Sequence, residues 1–183
     1  MMWSFSRYAG KSSTVPENAV MNFPAKEVDE ALRISSELGI ARFSSCQDEY
    51  SLLVRTVEHK LIPTIERHGL GLLPYFPLAN GLLTGKYRRN KQPAEGTRLA
   101  AWKSIAERYA TERNWKNVEG LQKFATERNH SLLELAFSWL LSKPVVSCVI
   151  AGATRPEQVE QNVAAVNWSL SPEDLATIDA LTC

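Results

Sequence analysis

The sequence predicts an α/β fold with parallel strands and outer helices, on three observations. Short apolar runs alternate with longer amphipathic stretches along the chain, the pattern of a parallel sheet covered by helices. The polar and glycine residues fall where strands end: Gln47 after one run, Tyr75 after the next, and Gly152-Ala153-Thr154 after the last. Three clear strands and a weaker one near Phe5 to Ala9 make four strand-helix units, whereas a closed eight-stranded α/β barrel typically needs about 250 residues. Residues 1–183 therefore read as a single partial domain, half of such a barrel, with 88–98 an exposed loop.

In chain order, Pro24 to Leu38 reads as a helix, with Val28, Ala31, Leu32, Ser35 and Leu38 on one stripe and Gly39 placed to end it. Ala41 to Gln47 has the mixed pattern of a half-buried strand. A helical stretch through Val54 follows, broken into two pieces by Pro63, the second closed by Gly69 and Gly71. Leu72 to Tyr75 reads as a buried strand, and Pro77 to Tyr87 as a loop in which Gly81 and Gly85 permit unusual backbone angles. The polar run Arg88 to Arg98 resembles a lid. Helices are expected over 99–110 and 115–127, then from Ser131, where Glu134 completes a capping box ahead of Leu135, Ala136, Trp139 and Leu140. Val145 to Ala151 is a buried strand. Thr154 and Glu157 form a second capping box with Pro156 in the first turn, and Ser171-Pro172 opens the last helix.

Composition excludes several functions. With 21 Lys+Arg against 20 Asp+Glu the formal charge is +1, which leaves no general field for nucleic acid or an anionic membrane surface. Cys46, Cys148 and Cys183 lie far apart with no CxxC and no Cys/His pair at ligand spacing, so neither a metal site nor a disulfide framework is expected. No secretory leader and no apolar stretch near the roughly 18 to 20 residues of a membrane span is seen, and a cytoplasmic chain with reduced thiols follows.

In parallel α/β proteins functional loops gather at the strand C-termini, and a helix N-terminus after the last strands commonly binds phosphate. The helix after Thr154 is the candidate anion site, with Arg155 adding a full charge to the helix dipole. Arg155, Gln158 and Asn162 share one helical face there, and Val159, Val163 and Val166 form a separate apolar stripe.

Three strings in order, SSCQDEYSLLVR, LLPYFPLANGLLTGKY and VIAGATRPEQVEQN, resemble the aldo-keto reductases, particularly the bacterial and potassium-channel β-subunit-like branches. The resemblance runs from about Phe23, at the earliest Arg7, to Leu181, and covers the C-terminal half of the family's (α/β)8 barrel. It implies an NADP(H)-dependent oxidoreductase that reduces aldehydes and ketones. By resemblance, Gln47 matches the glutamine that bonds the nicotinamide carboxamide and Tyr75 the aromatic residue that stacks on the nicotinamide ring. Phe76, Pro77, Leu78, Ala79, Asn80 and Gly81 match the loop around the pyrophosphate, with Phe76 in place of a frequent serine. Lys86 and Arg98 match basic residues lining the cofactor. Gly152 and Thr154 match residues near the adenosine 2′-phosphate, and Gln158, Gln161 and Asn162 those that contact that phosphate and the adenine. Many relatives carry a lysine or arginine at the position of Gly152 or Gln158, which bears on the choice between NADP and NAD.

The family's catalytic Asp, Tyr, Lys and His come from the first half of its barrel, expected to lie outside these residues, so no catalytic residue is assigned. Tyr8 is not the proton donor, and His59, His68 and His130 sit in or beside helices without a nucleophile nearby. Both Lys11 to Thr14 and Met21 to Ala25 match the family's Ser-Asn segment, so the resemblance implies that residues 1–24 are irregular or inserted and makes Ser12, Ser13 and Asn22 further nicotinamide-side candidates. The implied partners are a nicotinamide cofactor, a small carbonyl substrate, and either a complementary N-terminal half or a second copy. The alternatives are a non-catalytic NADP(H)-binding regulatory subunit and an inactive remnant.

Overall fold

The computed structural model describes residues 2–6 and 19–182; the candidates Tyr8, Ser12 and Ser13, and Cys183, lie outside them. In chain order the elements are β1 (Met2–Ser6), β2 (Ala19–Met21), α1 (Ala25–Leu38), β3 (Ser45–Glu49), α2 (Leu61–Arg67), β4 (Gly71–Tyr75), α3 (Arg98–Ala101), α4 (Lys103–Tyr109), α5 (Glu112–Thr126), α6 (Leu132–Leu141), β5 (Cys148–Gly152), α7 (Pro156–Ala164) and α8 (Pro172–Thr182). Strands β2, β3 and β4 form a parallel sheet in that order. Leu72 N–H donates to Val145 O at 2.8 Å and Ser147 N–H to Leu72 O at 3.0 Å, which carries the parallel arrangement on toward β5. The outer edge of β2 has no strand partner among the described residues, so the α/β sheet is open.

One expectation fails at the other edge. The weak strand expected near Phe5 to Ala9 is β1, and it pairs antiparallel with β5, Met2 opposite Gly152 and Ser6 opposite Cys148. An antiparallel partner satisfies the edge hydrogen bonds of β5 with no crossover helix.

Helices pack on one side of the sheet. Val28 and Leu32 of α1, Ile65 of α2, and Leu121, Leu135, Trp139 and Leu140 of α5 and α6 are buried in one cluster with Cys46 and Leu72 of the strands. Along β4 buried residues alternate with half-buried ones, as on a sheet with one face packed, whereas in β3 the alternation breaks at its end, where Glu49 is buried on the face opposite Cys46. Gly71 is required on the other face, because a Cβ there would stand 2.1 Å from Ser147 Oγ. The α1 stripe ends earlier than expected. Leu38 is 66 % exposed, and Gly39 at φ 61° reverses the chain directly after it.

Local chemistry explains the shifted boundaries. The helix expected through Val54 is absent: the Ser51 hydroxyl accepts from the N–H groups of Leu53 (3.3 Å) and Val54 (3.2 Å) and holds a turn instead. Pro63 falls inside the first turn of α2, where its missing N–H costs nothing, so it starts a helix rather than dividing one. The helix expected over 99–110 is divided at Trp102, whose backbone is extended. Ser131 and Glu134 form the full capping box on α6. The second box does not form. The N-cap of α7 is Arg155 with no side-chain cap, and Gln158 rather than Glu157 reaches back, its Oε1 accepting from Thr154 N at 2.8 Å and Oγ1 at 3.2 Å. Nor do the valines of α7 form a packed stripe: Val163 is 44 % exposed, and the buried residue of that helix is Asn162.

Among the described residues no helix is long and apolar enough to cross a membrane, and no three His, Cys, Asp or Glu side chains are placed to hold a metal. Burial, then the charge of Asp48, pushes the Cys46 thiol up to about 11, and the thiolate is the reactive species. Cys46 is therefore expected to resist iodoacetamide at pH 8 in the folded chain and to react on unfolding. Modification at the unfolded rate, read by mass spectrometry, contradicts this burial.

Candidate functional site

The strand alternation brings two groups of side chains to the C-terminal edge of the sheet. Parallel register sets Gln47 beside Met21 and Leu73, and Glu49 beside Tyr75. Asn22, just past β2 at φ 58°, donates its backbone N–H to Gln47 O at 3.0 Å and accepts from Tyr75 Oη at 2.9 Å through its Oδ1. Asn22, Gln47 and Tyr75 thus share one corner. The Gln47 amide has only a weak contact, Nε2 to Met21 Sδ at 3.4 Å, and is left to bond a ligand. Burial, then the charges of Glu49 and Asp48, hold the Tyr75 phenol above its ordinary value, so Tyr75 is a neutral aromatic surface at ordinary pH.

After Tyr75 the chain turns sharply. Phe76, Ala79 and Asn80 have φ of 51°, 45° and 55°, and Gly81 has 100°, three left-handed non-glycine residues in a short span that only a well-packed loop sustains. Pro77, Ala79 and Asn80 are buried and Leu78 half-buried, while the Phe76 ring stands at 82° to Tyr75, centroids 5.1 Å apart. A Cβ on Gly81 would lie 3.2 Å from Lys86 Cε, so glycine there lets Lys86 fold back over the loop with its Nζ 5.0 Å above the Tyr87 ring.

Arg98 joins this loop to the last strand. Its Nη1 donates to Asn80 Oδ1 at 3.3 Å, its guanidinium lies 6.0 Å from the Phe76 ring, and its Nη2 would be 3.6 Å from a Cβ on Gly152. Asn80 is 4 % exposed, its side chain acts on the Tyr109 phenol, and its Nδ2 has no well-formed hydrogen bond among the described residues, a buried donor with room for an acceptor. A cation, a buried amide donor and an exposed glycine thus converge where an anion would fit.

The helix-terminal part is less assembled. Arg155 is exposed, Gln158 half-buried and Asn162 buried, so the three residues expected on one face do not present one surface; Gln161 beside them is exposed. Gln158 occupies the Thr154 N–H, which partly fills the terminus read as an anion site. The three histidines lie elsewhere: His68 bonds Asp29 at 2.7 Å, His130 stacks on Trp168 at 4.0 Å and contacts Glu134 at 3.1 Å, and His59 follows a short 3-10 turn. Cavities of about 490 and 400 Å³ lie along the 86–98 excursion around Tyr87, Arg88 and Trp115, the smaller lined in part by Lys86.

Sequence reasoning missed a carboxylate here. Glu49 is 7 % exposed and accepts from Arg108 Nη2 and Tyr109 Oη. Burial, then Glu49 itself, pushes the Tyr109 phenol well above its ordinary value. The available signal was period 2: Glu49 lies two residues beyond Gln47 on the same strand face.

A family model described as "Aldo/keto reductase family" matches residues 12–182. The chain is 36% identical over 161 residues to a probable voltage-gated potassium channel subunit beta of Oryza sativa subsp. japonica, covering 86% of this chain and 49% of that protein. It is 36% identical over 140 residues to the L-glyceraldehyde 3-phosphate reductase of Escherichia coli (strain K12), covering 73% and 40%. It is 30% identical over 161 residues to the NADH-specific methylglyoxal reductase of the same strain, covering 86% and 47%. The chain spans about half the length of the curated relatives it matches.

Proposed function

Because the chain belongs to the aldo/keto reductase family, we propose that it supplies the cofactor-binding, C-terminal half of an (α/β)8 NADP(H)-dependent oxidoreductase that reduces small aldehydes or ketones. The observation that carries this reading is the meeting of Arg98, the buried Asn80 amide and Gly152 beside the Gln47–Tyr75–Asn22 corner. The residues fit the cofactor: an anion satisfies the buried Asn80 Nδ2, and the tyrosine face takes an aromatic ring. Gln47 would bond the carboxamide and Tyr75 would fix which ring face is presented. Phe76 to Gly81, with Lys86 and Arg98, would hold the pyrophosphate, and Gly152, Thr154, Arg155, Gln158, Gln161 and Asn162 the adenosine side. When bound, NADPH supplies hydride. The chain's own residues orient that group and balance its charge, and the carbonyl proton is left to the half of the barrel outside these residues.

In this reading the open β2 edge takes a complementary half or a second copy, and β1 leaves β5 when the barrel closes. The working compartment is the cytoplasm. A second reading, a non-catalytic NADP(H)-binding subunit, is favoured by the 36% identity to a channel β-subunit.

Titration with NADPH and NADH, following nicotinamide fluorescence, tests both readings, on the chain alone and mixed with the N-terminal half of a reductase of this family. Saturable binding with NADPH preferred is expected, with aldehyde turnover only in the mixture. Binding without turnover in the mixture favours the regulatory subunit. A folded chain that binds neither nucleotide in either form ends the cofactor proposal.

A further inference from the structure

Lys86 and Arg98 lie on the excursion between β4 and α5, and something must hold that excursion down. Its return leg is α3 and α4, separated at the extended Trp102. Near its start Tyr87 Oη accepts from Leu99 N at 3.4 Å, and Leu99 is 5 % exposed. At its end α4 reaches the sheet through two consecutive residues: Arg108 and Tyr109 both donate to Glu49. Asn114 Nδ2 then bonds Tyr109 O at 2.8 Å and fixes the exit.

Glu49 is an unusual choice for this place. It is 7 % exposed, and a buried carboxylate is costly unless it is paired and hydrogen-bonded. Arg108, 60 % exposed along its side chain, brings its charge in from solvent, and Tyr109, 2 % exposed, brings a hydrogen bond. Glu49 also pairs in register with Tyr75. One carboxylate therefore touches both the end of the excursion and the strand position of the aromatic platform.

We propose that Glu49 is a positioning residue: through Arg108 and Tyr109 it latches the 86–109 excursion onto the end of β3, so that Arg98 and Lys86 are held over the anion site and Tyr75 is held beside it. The proposal rests on the cofactor reading for its consequence and on the Glu49 contacts alone for the latch. Bound nucleotide leaves slowly while the latch is closed. It acts through Arg108 and Tyr109, which carry its hold to the excursion, rather than by a contact of its own with the ligand.

The latch is tested on the full chain by limited trypsin digestion, which reads cleavage after Arg88, Arg89, Lys91, Arg98 and Lys103. Glu49→Gln keeps the shape and removes the charge. Cleavage within the excursion is expected to rise about tenfold, the scale of a lost charge-assisted hydrogen bond, with the thermal melt of the remaining fold unchanged. Arg108→Gln does the same, the double variant opens no further than either single one, and Arg108→Lys partly restores protection. On the same variants the NADPH dissociation rate rises by about the same factor, while association stays within about twofold. Wild-type cleavage rates in a folded Glu49→Gln chain overturn the latch, as does a uniform rise of cleavage along the whole chain with a lowered melt, which makes Glu49 merely structural. An open excursion with unchanged NADPH dissociation overturns the positioning role. Failure of the wild-type chain to bind NADPH strikes the cofactor reading instead, and digestion still decides the latch.

Discussion

Trp139→Ala is expected to remove a large part of the stability of the fold. Trp139 has no exposed surface and joins three parts of the chain. The Tyr50 ring packs against it at 5.1 Å and 53°, the Arg55 guanidinium lies 5.0 Å from its centroid, and Lys143 Nζ lies 4.7 Å away. Arg55 in turn bonds Glu58 at 2.9 Å, and Asp179 and Thr182 of α8 at 2.7 Å each, so the ring backs the contact that fastens the last helix. Truncating a buried tryptophan to alanine costs about 3–5 kcal/mol, against a total of about 5–15 kcal/mol for a domain. The indole Nε1 is buried with no hydrogen-bond partner, a group that costs about 1–3 kcal/mol when left unsatisfied. Trp139→Phe gives up packing but also removes that donor, so its loss is expected to be under about half that of alanine. Urea unfolding followed by far-UV circular dichroism measures both. A loss below about 1 kcal/mol for Trp139→Ala contradicts this account of the core.

The same helix shows what sequence makes legible. Ser131, Glu134 and the apolar run after them fix α6 from within a dozen residues, because a capping box and a helical stripe are local. The strands β4 and β5 are equally plain as apolar runs. β2 is only three residues long, too short for any periodicity to show. The residues around Ser51 have helical composition, but a hydroxyl accepting two backbone N–H groups costs less order than a helix turn and wins. At α7 the helix begins one residue later than the pattern suggests. Thr154 falls outside the cap and Gln158, not Glu157, is the third residue inside, so the reciprocal contact moves by one position.

For the site, the strand-end residues were accessible to pattern because successive side chains alternate faces and parallel strands share an edge. The Glu49 latch was not, since its partners are 59 and 60 residues away in sequence and nothing local marks Arg108 or Tyr109 as more than helix surface. The antiparallel pairing of β1 is likewise a tertiary choice: strand propensity does not carry direction.

Arg98→Met is expected to weaken NADPH binding about 10- to 100-fold while leaving the fold intact. The guanidinium is held by Asn80 Oδ1 at 3.3 Å and faces the open backbone of Gly152, so it stands between the loop proposed for the pyrophosphate and the strand end proposed for the adenosine side. A hydrogen bond to a charged group contributes about 1.5–3 kcal/mol, and the planar fork of arginine suits phosphate oxygens. Methionine keeps the apolar stem and removes the donors, which separates the charge from its packing. Because Arg98 sits at the Asn80 loop, its partner is the pyrophosphate shared by both nucleotides, and NADH should lose as much as NADPH. Salt should matter less to the variant, since one phosphate contact has gone. Arg155 provides the contrast: it is exposed and its side chain does not cap the helix it opens, so Arg155→Met should change affinity only a few-fold, within the range of a screened surface charge. Fluorescence titrations of both variants at low and high salt decide the order. Equal, small effects at the two positions mean that the anion does not lie between Asn80 and Gly152. A loss confined to NADPH in Arg98→Met moves the guanidinium from the pyrophosphate to the 2′-phosphate and makes it the residue that selects the cofactor.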